Sequence, residues 1–404
     1  MHIAIIGGGA AGFFAAINVK RNHPASTVII FEKSQHLLAK VKVSGGGRCN
    51  LTNNCTGIKE LSAAYPRGRN ALKKAFRRFD NQQAIHWFES RGVPLVTQED
   101  NCVFPVSQNS QSIIDCFLEQ AAKAKIKIEL RMGVKAITPI DTKLQLDFVG
   151  KENPARIFDK VIVATGGSPK RENLLWLEKL KHQIEPPVPS LFSFKIADDP
   201  ITELMGIVVE NSLVSIQGTK YRSAGPLLIT HWGMSGPAIL KLSSLAARWL
   251  SEENYHCNIL VNWTNQRNQD EVLTQLHNMA TAHPKKQLAN LRPYSLTDRM
   301  WSYLLDKINL STGKPWGEIG KTGFNRLVNV LTNDIYTVKG QTQFRDEFVT
   351  CGGISLNSID VNTMQSKTCK NLYFAGEIMD IDGITGGYNL QAAWTTAFIA
   401  AQLD

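Results

Sequence analysis

The chain has 404 residues, which at roughly 150 residues per domain is enough for two or three domains. Hydrophobic residues make up 43% and charged residues 20%, a balance that buries a large core and excludes disordered, collagen-like and fibrous chains. Lys and Arg outnumber Asp and Glu by 45 to 35; the net charge of +10 suits an anionic ligand, a nucleic acid or mere solubility, and says nothing about fold. The seven cysteines are dispersed with no Cys-x-x-Cys pair, so no disulfide framework, thiol redox centre or metal site is expected. With no leader pattern at the start and no apolar run of about 18 residues, the expectation is a soluble cytoplasmic protein that does not engage a membrane.

In chain order, His2 to Ile6 is an apolar strand that runs into Gly7-Gly8-Gly9-Ala10-Ala11-Gly12 and then a helix-compatible run, Phe13 to Arg21. A β-branched strand, Thr27 to Phe31, follows and ends at Glu32, 20 residues beyond Gly12. Strand, glycine turn, helix and acid stand at the spacing of a dinucleotide-binding βαβ unit. Gly7 permits the tight turn, Gly9 the approach of backbone to a pyrophosphate, and Gly12 the close packing of helix on strand. The helix start offers positive charge to phosphates, and Glu32 can accept from ribose hydroxyls.

Lys123 to Leu130 alternates like a strand and leads to Gly133-Val134, and residues 142–149 look like another strand. Asp159 to Ala164 is an apolar strand that stops at Thr165-Gly166-Gly167, either beside a ligand or in an ordinary turn. Pro186-Pro187-Val188-Pro189 makes a stiff, extended connection. Short β-like segments follow at Gly206 to Ser215, Pro226 to Thr230 and His256 to Trp263, and residues 269–310 read as helical. Near the end come Cys351-Gly352-Gly353-Ile354, a strand Asn371 to Ala375, the loop Gly376 to Asn389, and an alanine-rich helix from Leu390 to Ala401. A nucleotide-binding domain assembled from both ends of the chain is the economical reading.

Four blocks of the sequence resemble the FAD-dependent oxidoreductases of the aminoacetone oxidase and bile-acid reductase type. They are Gly7 to Gly12 with Glu32; Ser44-Gly45-Gly46-Gly47-Arg48-Cys49-Asn50-Leu51-Thr52-Asn53; Thr230-His231-Trp232-Gly233-Met234-Ser235-Gly236-Pro237-Ala238; and Gly376-Glu377 through Gly386-Gly387-Tyr388-Asn389-Leu390-Gln391. The resemblance implies an α/β fold: a Rossmann-like, glutathione-reductase-like FAD domain at 1–190 and 341–404. It is interrupted by a β-barrel-like part at 191–266 and 320–340 and a small helical part at 267–319. It also implies that Gly7, Gly9, Ala11 and Gly12 face the pyrophosphate and Glu32 the ribose, that Val134 offers its backbone to the adenine, and that Gly376, Glu377, Gly386, Gly387, Asn389 and Leu390 hold the ribityl chain and ring edge. Lys33, Gly46, Arg48, Thr165 and Gly166 complete the cofactor set. The family's Thr-Gly-Asp-Gly stretch is missing, since Ser168 to Trp176 follows the glycine pair directly.

For chemistry, Arg48 either pairs with a phosphate or polarises the flavin, or it braces its glycine loop. His231 exchanges a proton with substrate or is a hydrogen-bonded structural residue. Tyr388 donates to substrate or stacks beside the ring, and Cys49 reads as a packed thiol. The expected function is hydride transfer between FAD and a small organic substrate, with NAD(P)H as a transient donor or oxygen as acceptor. Two alternatives stand beside it: an RNA-directed flavoprotein using the run Arg67, Arg69, Lys73, Lys74, Arg77 and Arg78, and a flavin-binding protein without turnover. The run also suits a helix with one solvated face, which makes nucleic acid the minor reading.

Overall fold

Four of the five residues of strand β1 (His2–Ile6) are fully enclosed, the pattern of a strand covered on both faces. The computed structural model, which describes residues 1–150, 152–341 and 349–404, shows why. β1 feeds helix α1 (Ala10–Asn22), which returns the chain to β2 (Thr27–Phe31), parallel to β1 with Ile5 beside Ile30. β3 (Lys127–Glu129) extends the sheet beyond β2, and β4 (Lys160–Val163) lies on the other side of β1 with Ile162 beside Ile5. The chain then leaves by β5 (Ile184–Ser190) and returns by β6 (Val349–Ile354), an antiparallel pair. β7 (Leu372–Phe374) enters parallel to β4, and α2 (Tyr388–Ala400) follows. The resulting sheet has seven strands, in the order β3-β2-β1-β4-β7 followed by the short edge pieces Gln365–Ser366 and Ile359–Asp360. This is the doubly wound order, with the strand sequence reversing at β1/β4, where ligands of such sheets bind.

By its contacts the chain divides into Met1–Ser190 with Phe344–Asp404, and Leu191–Gln343. The return crossing expected near residue 341 runs into residues 342–348, which lie outside the described residues. In the second unit, the strands Phe194–Lys195, Gly233–Ser235, Arg222–Thr230, Val208–Ile216, His256–Asn262 and Asp334–Lys339 form an antiparallel sheet in that order. Its two ends are joined by the Phe194/Gln341 bridge and by the Lys195 N–H donating to the Gly340 carbonyl at 3.0 Å, so the sheet nearly closes into a barrel. Helices Gln269–Ala282, Asp298–Lys307 and Gly320–Thr332 bury Trp301, Leu304, Phe324 and Leu331.

Two local expectations change. The strand expected over Lys123 to Leu130 shrinks to Lys127–Glu129, because helix Gln111–Lys123 first buries Ile113, Ile114 and Phe117 and then stops at Lys125, which turns with φ +54°. The proline connection is itself strand β5: among the described residues it pairs only with β6, so its missing N–H groups interrupt no second ladder there, and the register shifts between Glu185 and Val188. The core of the first unit centres on Phe14, whose ring meets Trp87 at 4.5 Å and Trp394 of α2 at 5.4 Å. These rings glue together the two helices that begin at the two glycine turns.

Candidate functional site: the convergence of two glycine turns

The three glycines of the first turn are explained by different surroundings. A Cβ on Gly12 would lie 1.9 Å from the Gly7 carbonyl oxygen, and one on Gly7 2.4 Å from that of Ala164. Both are therefore set by close packing of α1 and β4 on the turn. Gly9, the residue capping α1, would meet no protein atom within 4 Å. Protein packing gives no reason for its bareness. An α-helix start with unpaired N–H groups and an open space in front of its cap fits a pyrophosphate.

The Glu32 carboxylate accepts from the Gly8 N–H and the Ser34 N–H, each at 2.8 Å. Each oxygen keeps a lone pair for a hydroxyl. The Met132 N–H donates to the Glu32 carbonyl at 2.8 Å, which draws Gly133 and half-buried Val134 beside the exposed Lys33. Glu32, Lys33 and Val134 thus share one side of the turn, as a bound adenosine requires.

The second turn closes on the first. A Cβ on Gly376 would lie 2.8 Å from that of Ala11, and the Gly376 N–H donates to Thr396 Oγ1 at 2.9 Å. Glu377 sits beside Thr165-Gly166-Gly167, its carboxyl carbon 2.8 Å from where a Gly167 Cβ would stand. Its Oε1 accepts from the Thr350 N–H at 2.8 Å and its Oε2 pairs with Lys40 Nζ at 2.6 Å. Neither partner was expected from the sequence; Lys40 lies 337 positions away, with no local signal to mark it.

Gly386 and Gly387 lead into α2, and a Cβ on Gly387 would lie 2.4 Å from the Thr52 carbonyl oxygen, so the Ser44 to Asn53 block and the last block meet here. Thr52 Oγ1 donates to Gln391 Oε1 at 2.6 Å, entirely buried, and Trp394 Nε1 donates to the Leu51 carbonyl at 2.9 Å. The Asn389 amide is spent on Gly383, accepting from its N–H at 2.8 Å and donating to its carbonyl at 2.9 Å. Asn389 can therefore face a ligand only through its backbone, at the start of α2 with half-buried Leu390. The Tyr388 ring stands edge-on to Tyr65 at 6.0 Å and against Gly386, and burial raises its phenol above the usual range.

Arg48 lies over the Phe104 ring at 4.3 Å, donating from Nε to the Gly45 carbonyl at 3.3 Å and reaching Gln108 at 3.4 Å. In this arrangement it braces its loop. A Cβ on exposed Gly46 would meet nothing within 4 Å. Cys49 is fully buried, and burial pushes its thiol up to about 12. His231 belongs to the second unit, where it is exposed at the turn between Arg222–Thr230 and Gly233–Ser235, its ring 4.2 Å from that of Trp232. The basic run divides: Lys73, Lys74, Arg77 and Arg78 are exposed while Leu72, Ala75, Phe76 and Phe79 are buried, and Arg67 is an inward ion-pair partner of Asp382.

The model of the HI0933-like protein Rossmann domain matches residues 1–403. The chain belongs to that family. The chain is 26% identical to a 3-dehydro-bile acid delta(4,6)-reductase of Clostridium scindens, covering 99% of this chain and 98% of the relative. It is 28% identical to proteins named ribosomal RNA dihydrouridine synthase in Haemophilus influenzae and Escherichia coli, covering 98% of this chain and 96% of each. Among solved structures, 3-ketosteroid delta1-dehydrogenase of Sterolibacterium denitrificans matches with a TM-score of 0.52 at 10% identity, over 99% of this chain and 98% of that one. The 3-ketosteroid-delta4-(5alpha)-dehydrogenase of Rhodococcus jostii RHA1 matches with a TM-score of 0.50 at 12% identity, over 99% and 95%. These two likenesses concern the fold. The chain is an FAD-binding Rossmann protein, an oxidoreductase by family. No helix among the described residues is long and apolar enough to cross a membrane.

Proposed function

We propose that the protein saturates a carbon–carbon double bond conjugated to a carbonyl, with FAD as its resident cofactor. The observation that carries the cofactor reading is Gly9: it caps α1, and a Cβ there would meet no atom of the described residues within 4 Å beyond its own turn and helix. Gly7, Gly9, Ala11 and Gly12 would hold the pyrophosphate, Glu32 and Lys33 the ribose and its surroundings, and the Val134 backbone the adenine. Thr165, Gly166, Gly376 and Glu377 would hold the ribityl chain, and Gly46, Gly386, Gly387, Asn389 and Leu390 the ring edge. When bound, the flavin supplies a two-electron hydride donor.

The reaction class draws on what the relatives are named for. A delta(4,6)-reductase and a dihydrouridine synthase both saturate a ring double bond conjugated to a carbonyl. One hydride goes to the β carbon, one proton to the α carbon, and a saturated carbonyl compound results. Tyr388 is the proposed proton donor, because its Oη carries a proton at neutral pH and the ring has little freedom against Gly386 and Tyr65. His231 is the alternative donor, and Arg48 supports the electrostatics of the glycine loop. NAD(P)H is the proposed electron source, visiting the substrate cleft. The discontinuous FAD domain at 1–190 and 341–404, with the barrel-like and helical parts inserted, is part of the same proposal.

The first substrate reading is a small hydrophobic enone, supported by the bile-acid relative. The second is a uridine in RNA, supported by the two synthase-named relatives and by exposed Lys73, Lys74 and Arg77. Anaerobic titration with NADH and NADPH should bleach the flavin, and a 4-ene-3-ketosteroid or an RNA oligonucleotide should restore the colour with a gain of two hydrogens in the product. A flavin that neither nicotinamide bleaches removes the NAD(P)H proposal, and a chemically reduced enzyme that neither substrate class reoxidises removes the reductase reading. Changing Lys73, Lys74 and Arg77 to Glu should abolish only RNA turnover; if RNA turnover persists unchanged, that surface is not its binding face.

A further inference from the structure

The flavin loop between β7 and α2 is held from outside by a buried charge that the reaction above does not use. Asp382 is fully buried at the middle of this loop. Arg67 grips it with both arms of its guanidinium: Nε donates to Oδ1 at 2.6 Å, and one terminal nitrogen donates to Oδ2. Ser190, the last residue of β5 and also fully buried, donates from Oγ to the same Oδ2 at 2.8 Å. The segment carrying Arg67 lies along the loop at further points. The Ile384 N–H donates to the Ala64 carbonyl at 2.9 Å, Tyr65 Oη donates to the Tyr388 carbonyl at 2.6 Å, and a Cβ on Gly68 would stand 2.6 Å from the Ile381 side chain.

A buried ion pair is a poor source of stability, since an apolar pair of similar volume commonly does as well or better. What it supplies is direction: a planar fork on a carboxylate accepts only one geometry. The loop it orients carries Gly376, Glu377, Gly386, Gly387 and Asn389. We propose that Arg67 is a positioning residue for the flavin, clamping Asp382 so that the Gly376 to Gly387 loop and the end of β5 are held in one fixed arrangement. The inference rests on the flavoprotein reading but assigns no residue that reading uses. Arg67 thereby leaves the cationic surface and becomes part of the machinery that shapes the site.

Three proteins test this: wild type, R67K, and the triple variant R67M/S190A/D382L, which replaces the polar knot by an apolar one. In FAD-free protein, hydrogen exchange at the Gly383 and Ile384 amides should accelerate about tenfold in both variants, the effect of losing one charge-assisted bond. Thermal midpoint and far-ultraviolet circular dichroism in the triple variant should stay at wild-type values. With FAD added, its Kd should rise by a similar factor, and the visible dichroism of the flavin should change. Wild-type exchange and wild-type flavin dichroism in both variants would overturn the proposal, even with stability lowered, because the pair would then be structural only. Exchange is read without FAD, so it decides the clamp even if wild-type protein takes up no FAD, an outcome that would instead overturn the flavoprotein reading.

Discussion

Replacing Gly9 and Gly12 by alanine separates packing from binding within a single turn. At Gly12 the new Cβ would stand 1.9 Å from the Gly7 carbonyl oxygen, in a turn tied to β2 by the Gly7 N–H donating to the Phe31 carbonyl at 2.8 Å. Helix α1 must lift from β1, at a cost near the upper end of the overpacking range, about 3 kcal/mol. At about 2–4 °C per kcal/mol, the midpoint should fall by roughly 6–12 °C. At Gly9 the backbone, with φ −94° and ψ −167°, is extended and open to any residue, and the Cβ meets nothing. Alanine is a somewhat poorer cap than glycine but reduces unfolded-state freedom; these effects oppose each other and should cancel to within about 1 kcal/mol. FAD-free G9A should melt like wild type. Its methyl group occupies the space assigned to the pyrophosphate, so FAD affinity should drop at least about tenfold, or 1.4 kcal/mol. Thermal denaturation of the FAD-free proteins and fluorescence titration with FAD read the two effects separately. A G9A protein that binds FAD like wild type, or that melts as early as G12A, would refute the assignment of that space to a ligand.

Three further outcomes follow from buried groups. His182 is buried between the Leu177 carbonyl, 3.0 Å from Nδ1, and Ser366 Oγ, 2.8 Å from Nε2; burial lowers its pKa, so the unfolded chain binds the extra proton more readily. The stability it contributes is therefore complete above the ordinary histidine value of about 6.5 and is lost progressively as pH falls from there through the lowered folded value. Urea denaturation should show wild type losing its advantage over H182Q between pH 8 and pH 5.5, and a constant difference would contradict this. In the second unit, Asp334 is buried against Lys307 Nζ at 2.6 Å and Trp263 Nε1 at 3.0 Å; K307M, which leaves that carboxylate unpaired, should cost about 3 kcal/mol by denaturant titration. An effect below about 1 kcal/mol would mean that the pair is effectively solvated. Burial pushes the thiols of Cys55, Cys116 and Cys257 up to about 11 and that of Cys49 to about 12, so a disulfide-exchange reagent at pH 8 should label them quickly only after denaturation.

The nucleotide-binding half was legible because its signals are local. β1, the Gly7 to Gly12 turn, α1, β2 and Glu32 lie within 32 residues, and the structure places each strand where its apolar pattern indicates. The last helix was legible for the same reason, although it begins at Tyr388, two residues before the Leu390 expected. β5 was hidden because proline argues against a strand, and only a one-sided partner makes it one. The contacts that complete the site were hidden by separation: Lys40 meets Glu377 across 337 positions, and Arg67 meets Asp382 across 315. Arg67 sat in a run of surface-like cations, and nothing near it in sequence marked it as the one that turns inward. Asn389 shows what the motif alone hides: its side chain is committed to Gly383, which leaves its backbone for a ligand.

The sheet order has a consequence for biosynthesis. β7 lies beside β4, and α2 packs through Trp394 against Phe14, so residues 372–400 supply one wall of the same site whose opposite wall is built from the first 32. A nascent chain that has produced β1, α1 and β2 has the first glycine turn but not the second, and Phe14 without Trp87 or Trp394. Completion of that site therefore awaits α2, and until then Phe14 lacks Trp394 even though Phe79, Trp87 and Phe88 already pack against it. Truncations that remove α2 should lose part of the core together with one wall of the site, so stability and binding should fall together.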